Sequence, residues 1–187
     1  MFIETEDTPN PATLKFLPGR TIVPGRATAE FVSPDAVGGR SKLADALFGQ
    51  PGVARVFLGG DFVAVTKDDA ADWSALKPQI LAVLVDFFVS GMTAIEADAA
   101  VEEECIAPED EDIVKQIKEL LDTRVRPAVA GDGGDIVFRG YRDGVVRLTM
   151  QGACSGCPSS RATLKHGVEN MLRHYVPEVI AVEQVDA

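Results

Sequence analysis

Cysteine is scarce in this sequence, three in 187 residues, and histidine is scarcer still, at two. So few thiols cannot build a disulfide scaffold, and in a reducing compartment Cys105, Cys154 and Cys157 remain available for metal or redox chemistry. Basic clusters interleaved with aromatics are missing as well, so a nucleic-acid partner is not expected. No uninterrupted apolar run reaches the roughly 20 residues of a membrane span. The most apolar stretch, Ile80 to Ile95, is broken by Asp86 and Ser90-Gly91 and reads as a buried helix, with no membrane partner expected. The opening residues, Met1-Phe2-Ile3-Glu4-Thr5-Glu6-Asp7, carry no basic n-region, apolar h-region or Arg/Ser-rich amphipathic pattern, and a cytoplasmic location is the expectation.

What is present is an ordinary globular composition, 46% hydrophobic and 25% charged, which excludes disorder of the whole chain. The length suits two small domains. The net charge of −11 is concentrated: the segment from Glu96 to Asp112 holds nine acids and no base, and the remainder is near −2. A run of this kind is a solvated linker. The expected layout is an α+β chain with an amino-terminal domain over 1–92, an acidic linker over 93–109 and a second domain over 110–187.

In the first half, Thr8-Pro9-Asn10-Pro11 opposes regular structure before a strand at Thr13 to Leu17. Thr28 to Val32 is a weaker strand. Ser41 to Phe48 predicts a short helix, with Ser41 near its N-cap and Gly49 past its end. Val53 to Leu58 and Phe62 to Thr66, separated by Gly59-Gly60-Asp61, predict a hairpin. Trp73, Leu76, Ile80, Val83, Leu84 and Phe87 recur at helical spacing, and Trp73 reads as core. No Cys or His lies in this half, and no internal repeat links it to the second.

The second half predicts the order α-β-β-α-β. A helix carries Ile113, Ile117, Leu120 and Leu121 and ends at Pro127. Ile136-Val137-Phe138, the turn Asp143-Gly144 and Val145 to Met150 form a hairpin. Leu164, Val168, Met171, Leu172 and Tyr175 mark an amphipathic helix, and Val179 to Val185 a last strand. Gly131-Asp132-Gly133-Gly134 lacks the Lys-Ser/Thr ending of a phosphate loop and opens no helix, so it reads first as a permissive turn, with close approach to the cysteine loop as the second reading and Asp132 and Asp135 as turn residues.

The chemistry lies in Gly152-Ala153-Cys154-Ser155-Gly156-Cys157-Pro158-Ser159-Ser160, between the second hairpin strand and the second helix. Pro158 suits a first helical turn, which places both cysteines at a helix N-terminus, where backbone N–H groups and the dipole favour thiolates. The surrounding Gly, Ala and Ser leave room for a bulky inorganic group. Iron–sulfur clusters usually take four thiolates, and one chain offers this pair plus Cys105, isolated among acids that disfavour its thiolate. Two chains meeting at the motif supply four. His166 and His174, eight residues apart on one helix, cannot share a metal.

Three active readings stay open on residues alone, beside a fourth in which the thiols are inert and buried. The first is a non-enzymatic cluster carrier, and the second a thiol-disulfide oxidoreductase with Cys154 as nucleophile and Cys157 as resolving thiol. The third is a homodimer clamped by zinc through four cysteines. The parallel βαβ setting usual for dithiol redox motifs is not expected from this element order.

Arg126-Pro127-Ala128-Val129, Asp132-Gly133-Gly134-Asp135-Ile136, Gly152 to Ser160 and Tyr175-Val176-Pro177-Glu178-Val179 together resemble the carboxy-terminal domain of NifU-like (Nfu) proteins. Thr8-Pro9-Asn10-Pro11-Ala12-Thr13-Leu14-Lys15-Phe16 resembles the opening of the amino-terminal Nfu domain, extending the match to about residue 90. One departure is Ala130-Gly131, where the family commonly has a longer polar side chain. The resemblance implies an iron–sulfur scaffold or carrier, not an enzyme, that delivers a [4Fe-4S] cluster to recipient apoproteins after an upstream donor has loaded it. It puts Cys154 and Cys157 in the cluster-binding positions, with a homodimer when loaded.

Overall fold

The computed structural model describes residues 2–24, 28–95, 107–155 and 158–185, and the chain divides into two units, residues 1–99 and 100–187. Both mix helix with sheet, so the fold class is α+β. The acidic segment from 96 to 106, including Cys105, lies outside the described residues.

The first unit is a five-stranded antiparallel sheet in the order β1-β2-β5-β4-β3, formed by Glu4–Asp7, Thr13–Leu17, Val63–Lys67, Val53–Leu58 and Ala29–Phe31 respectively. Strands β4 and β5 are joined through Gly59-Gly60-Asp61, where the Gly59 N–H donates to Phe62 O at 2.8 Å. A single turn, α1 (Pro34–Val37), precedes α2 (Lys42–Phe48). The Ser41 hydroxyl caps α2 by accepting from Ala44 N–H, and Gly49 closes it. Helix α3 (Trp73–Val89) starts at Asp72, whose carboxylate accepts from Ser74 N–H at 2.7 Å. Phe16, Phe31, Leu43, Leu47, Leu58, Ile80 and Leu84 are fully buried where helices and sheet meet. Each contributes roughly 1.5–3 kcal/mol by leaving water. Trp73 packs partly buried against this core, at its edge, and its indole N–H donates to Pro11 O at 3.1 Å. A ring of this kind packs its apolar body inward and keeps its N–H within reach of a carbonyl.

The second unit begins with a turn at Pro108–Asp110 and α4 (Glu111–Leu120), which continues through a π-helical turn, Leu121–Val125, into α5 (Arg126–Gly131). Pro127 therefore does not end the helix as expected. The wider turn sends the Arg126 N–H to Leu121 O, and Pro127 falls in the first turn of α5, where a missing N–H costs little. Strands β6 (Gly134–Arg142) and β7 (Val145–Gly152) pair antiparallel across Asp143 and Gly144, both at positive φ (51° and 78°). Helix α6 (Pro158–Tyr175) then carries the chain back to β8 (Ala181–Gln184), which lies parallel to β7 in the order β6-β7-β8.

That crossover is a βαβ unit, contrary to the expectation that no such setting exists here. An 18-residue helix carries the chain from the end of β7 back to the end of the sheet at which β7 began, so the next strand must run parallel. Ile117, Ile136, Leu148 and Leu172 form the buried centre of this unit.

Candidate functional site

The β6–β7 register brings Gly134 opposite Gly152, at the end of the hairpin from which the chain turns towards α6. Gly152 has φ 69°, a conformation that side-chain-bearing residues rarely adopt. Hydrogen bonds among the described residues tie the turn. The Ala153 N–H donates to Gly133 O at 3.1 Å, and Gly152 O accepts both Ser155 N–H (3.1 Å) and the Ser155 hydroxyl (2.8 Å).

Cys154 sits in this turn, 7% exposed and packed with the apolar cluster that includes Met150 and Val168. Gly134 lies directly against it: a Cβ on Gly134 would stand 2.8 Å from Cys154 Sγ and 2.6 Å from Gln151 O. The glycine cluster divides between its two sequence readings, a permissive turn and close approach to the cysteine loop. The first holds for Gly133, at φ 80°, but at Gly134 the requirement is space for the cysteine, since its φ is not positive.

Asp135 is not a turn residue. It lies in β6 opposite Gln151, is 3% exposed, and its carboxylate meets Arg126 in a two-pronged contact: Nε to Oδ1 at 2.8 Å and Nη2 to Oδ2 at 2.7 Å. Oδ1 also accepts the Ile136 N–H at 2.8 Å, and Arg126 Nη1 reaches Asp122 Oδ1 at 3.2 Å. Hydrogen bonding to Asp135, set against the cost of burial, holds the Arg126 guanidinium above its ordinary value. Sequence reasoning missed this pair because nine residues separate the partners across a helix end and a strand start, outside either period.

Cys157, the other expected ligand, lies outside the described residues, as does Gly156. Helix α6 begins at Pro158, so the described cysteine precedes a helix start as expected. His166 and His174 are exposed on that helix, with the His174 ring edge-on to Tyr175 at 4.9 Å. Among the described residues no three of His, Cys, Asp or Glu are grouped to hold a metal ion.

The chain matches two family models, "Scaffold protein Nfu/NifU N terminal" over residues 3–91 and "NifU-like domain" over 117–183. A fly relative, the "NFU1 iron-sulfur cluster scaffold homolog, mitochondrial" of Drosophila ananassae, is 51% identical over 185 residues, 99% of this chain and 64% of its own length. The human protein of the same name is 50% identical over 186 residues, 99% of this chain and 72% of its own. The chain belongs to the NifU-like (Nfu) scaffold family. A solution structure of a NifU-like protein from Saccharomyces cerevisiae is similar over 52% of this chain and 87% of its own, at 30% identity and TM-score 0.48.

These relatives correct one expectation. The Nfu relatives are named mitochondrial, which overturns the cytoplasmic placement read from Met1 to Asp7. That reading rested on seven residues at one end of a chain spanning under two thirds of the fly relative, and where a sequence begins does not decide the compartment.

Proposed function

We propose that this Nfu chain carries a [4Fe-4S] cluster as cargo, held by Cys154 and Cys157 of one copy and the same pair of a second, and passes it to recipient apoproteins after an upstream donor has loaded it. The observation that carries the reading is the seat of Cys154, in a turn of small residues before α6 and against a glycine that leaves its sulfur room. Clusters are held by four thiolates, and the pair in one chain needs a second pair. Transfer needs no redox step: each iron–thiolate bond broken is replaced by one to a recipient thiolate, while the released cysteine takes up a proton. On this reading the protein is not an enzyme. The cargo unit is residues 110–187, joined through 93–109 to an amino-terminal domain over 1–92.

The parallel β7–α6–β8 setting favours one other reading, a dithiol oxidoreductase using the same two cysteines. Anaerobic reconstitution with iron and sulfide separates them. The carrier gives a brown protein with four iron per two chains, which Cys154→Ser and Cys157→Ser abolish and Cys105→Ser retains. A colourless protein with a reversible Cys154–Cys157 disulfide and reductase activity would establish the enzyme instead. A colourless zinc-loaded dimer would establish the clamp.

A further inference from the structure

The pair of half-buried Arg126 and buried Asp135 lies beside the cysteine turn, yet neither residue is among the cysteines proposed to hold the cargo. A carboxylate at 3% exposure is costly to bury, and apolar residues of similar volume often stabilise a core as well. What an ion pair of this geometry supplies is orientation, because the planar fork engages both carboxylate oxygens at once. Here the fork at 2.8 and 2.7 Å ties the first turn of α5 to the second residue of β6. The same guanidinium is held on its helix side by Asp122, and Asp135 Oδ1 also accepts the Ile136 N–H.

The strand start so fixed is the wall of the cysteine seat. Gly134 precedes Asp135 and lies against Cys154 Sγ, and Gly133 O accepts the Ala153 N–H at 3.1 Å. A displacement of residues 133–135 relative to α5 therefore moves both of these contacts with the cysteine turn.

We propose that Arg126 and Asp135 are positioning residues for the cysteine ligand, their fork setting the start of β6 as the surface that seats Cys154. This rests on the carrier reading for its role in cargo retention. The position of the thiol itself is a property of the metal-free chain.

The test uses full-length protein and the variants Arg126→Lys, Arg126→Gln and Asp135→Asn. Alkylation of Cys154 is followed in metal-free protein by peptide mass spectrometry across low urea concentrations, beside global unfolding curves. Arg126→Lys keeps the charge and loses the fork, so it should stay folded while Cys154 reacts at least about tenfold faster, with a rate independent of urea below the unfolding transition. Loaded Arg126→Lys should also release iron to a chelator faster. Should Asp135→Asn or Arg126→Gln fail to fold, Arg126→Lys decides alone. A folded Arg126→Lys with the parent alkylation rate overturns the proposal. So does an acceleration that rises with urea in step with global unfolding, because the pair then only stabilises. If Cys154 is exposed as expected but no chain, the parent included, holds iron, the carrier reading fails and the positioning role stands.

Discussion

Gly134→Ala is the sharpest test of the cysteine seat. The added methyl would meet Gln151 O at 2.6 Å, Cys154 Sγ at 2.8 Å and Cys154 Cβ at 3.3 Å. The carbonyl belongs to the neighbouring strand and cannot turn aside, so β6 and β7 must part or the cysteine turn must shift. Overpacking of this kind costs about 1–3 kcal/mol. Against it, alanine lowers the entropy of the unfolded chain, a gain of about 0.4–1 kcal/mol at a compatible φ. The balance is a loss of roughly 1–2 kcal/mol, read as a fall of about 4–8 °C per kcal/mol in the transition of the second unit. Gly167→Ala is the control: it lies inside α6 with nothing within 4 Å of its added methyl, and should stabilise by about 1 kcal/mol through helix propensity. Thermal unfolding gives the first readout, and the lifetime of a reconstituted cluster under chelator gives the second. Gly134→Ala should shorten that lifetime while Gly167→Ala leaves it unchanged. If Gly134→Ala unfolds at the parent temperature and holds its cluster as long, the cysteine is not seated on Gly134 and the argument is wrong.

In the first unit, the fully buried Ser41 hydroxyl accepts from Ala44 N–H and donates to Ala94 O, so Ser41→Ala should cost about 1–3 kcal/mol in urea unfolding. A change below about 0.5 kcal/mol would show that water replaces both bonds. In the second unit, burial first, and then the carboxylates of Asp110 and Glu178, holds the Tyr141 phenol above its ordinary value. A raised folded pKa contributes stability that is complete below the unfolded value of about 10 and lost as pH rises through the folded one. Unfolding curves should therefore weaken above about pH 10, and less so in Tyr141→Phe; equal slopes for the two chains would contradict this. Association should follow cargo, because a bridging cluster adds bonds between copies. Light scattering should report dimers when loaded and monomers after chelation, and one unchanged subunit number would argue against a shared cluster.

Much of the local structure was legible because its causes are local. Ser41 and Gly49 bracket α2, Gly59-Gly60-Asp61 and Asp143-Gly144 turn the two hairpins, and apolar spacing marks α3 and α6. The same is true of the turn holding Cys154, announced by small residues ahead of Pro158 at the start of α6. Family membership, too, follows from motifs read in order along the chain. What remained hidden depends on partners distant in sequence. Strand β1 is Glu-Thr-Glu-Asp, with no apolar alternation to predict it, and it forms by pairing with β2, where Lys15 meets Glu6 at 3.1 Å. Pro127 looked like a helix end because a π turn leaves no mark in composition. The parallel placement of β8 follows from the path of α6 across the sheet. Residue types alone showed a thiol in a loop and acids near glycines. Only the register of β6 on β7 decided that Gly134 makes room for Cys154 and that Asp135 turns inward to Arg126, because a contact's partner is fixed by which strands pair and not by any neighbour in the chain.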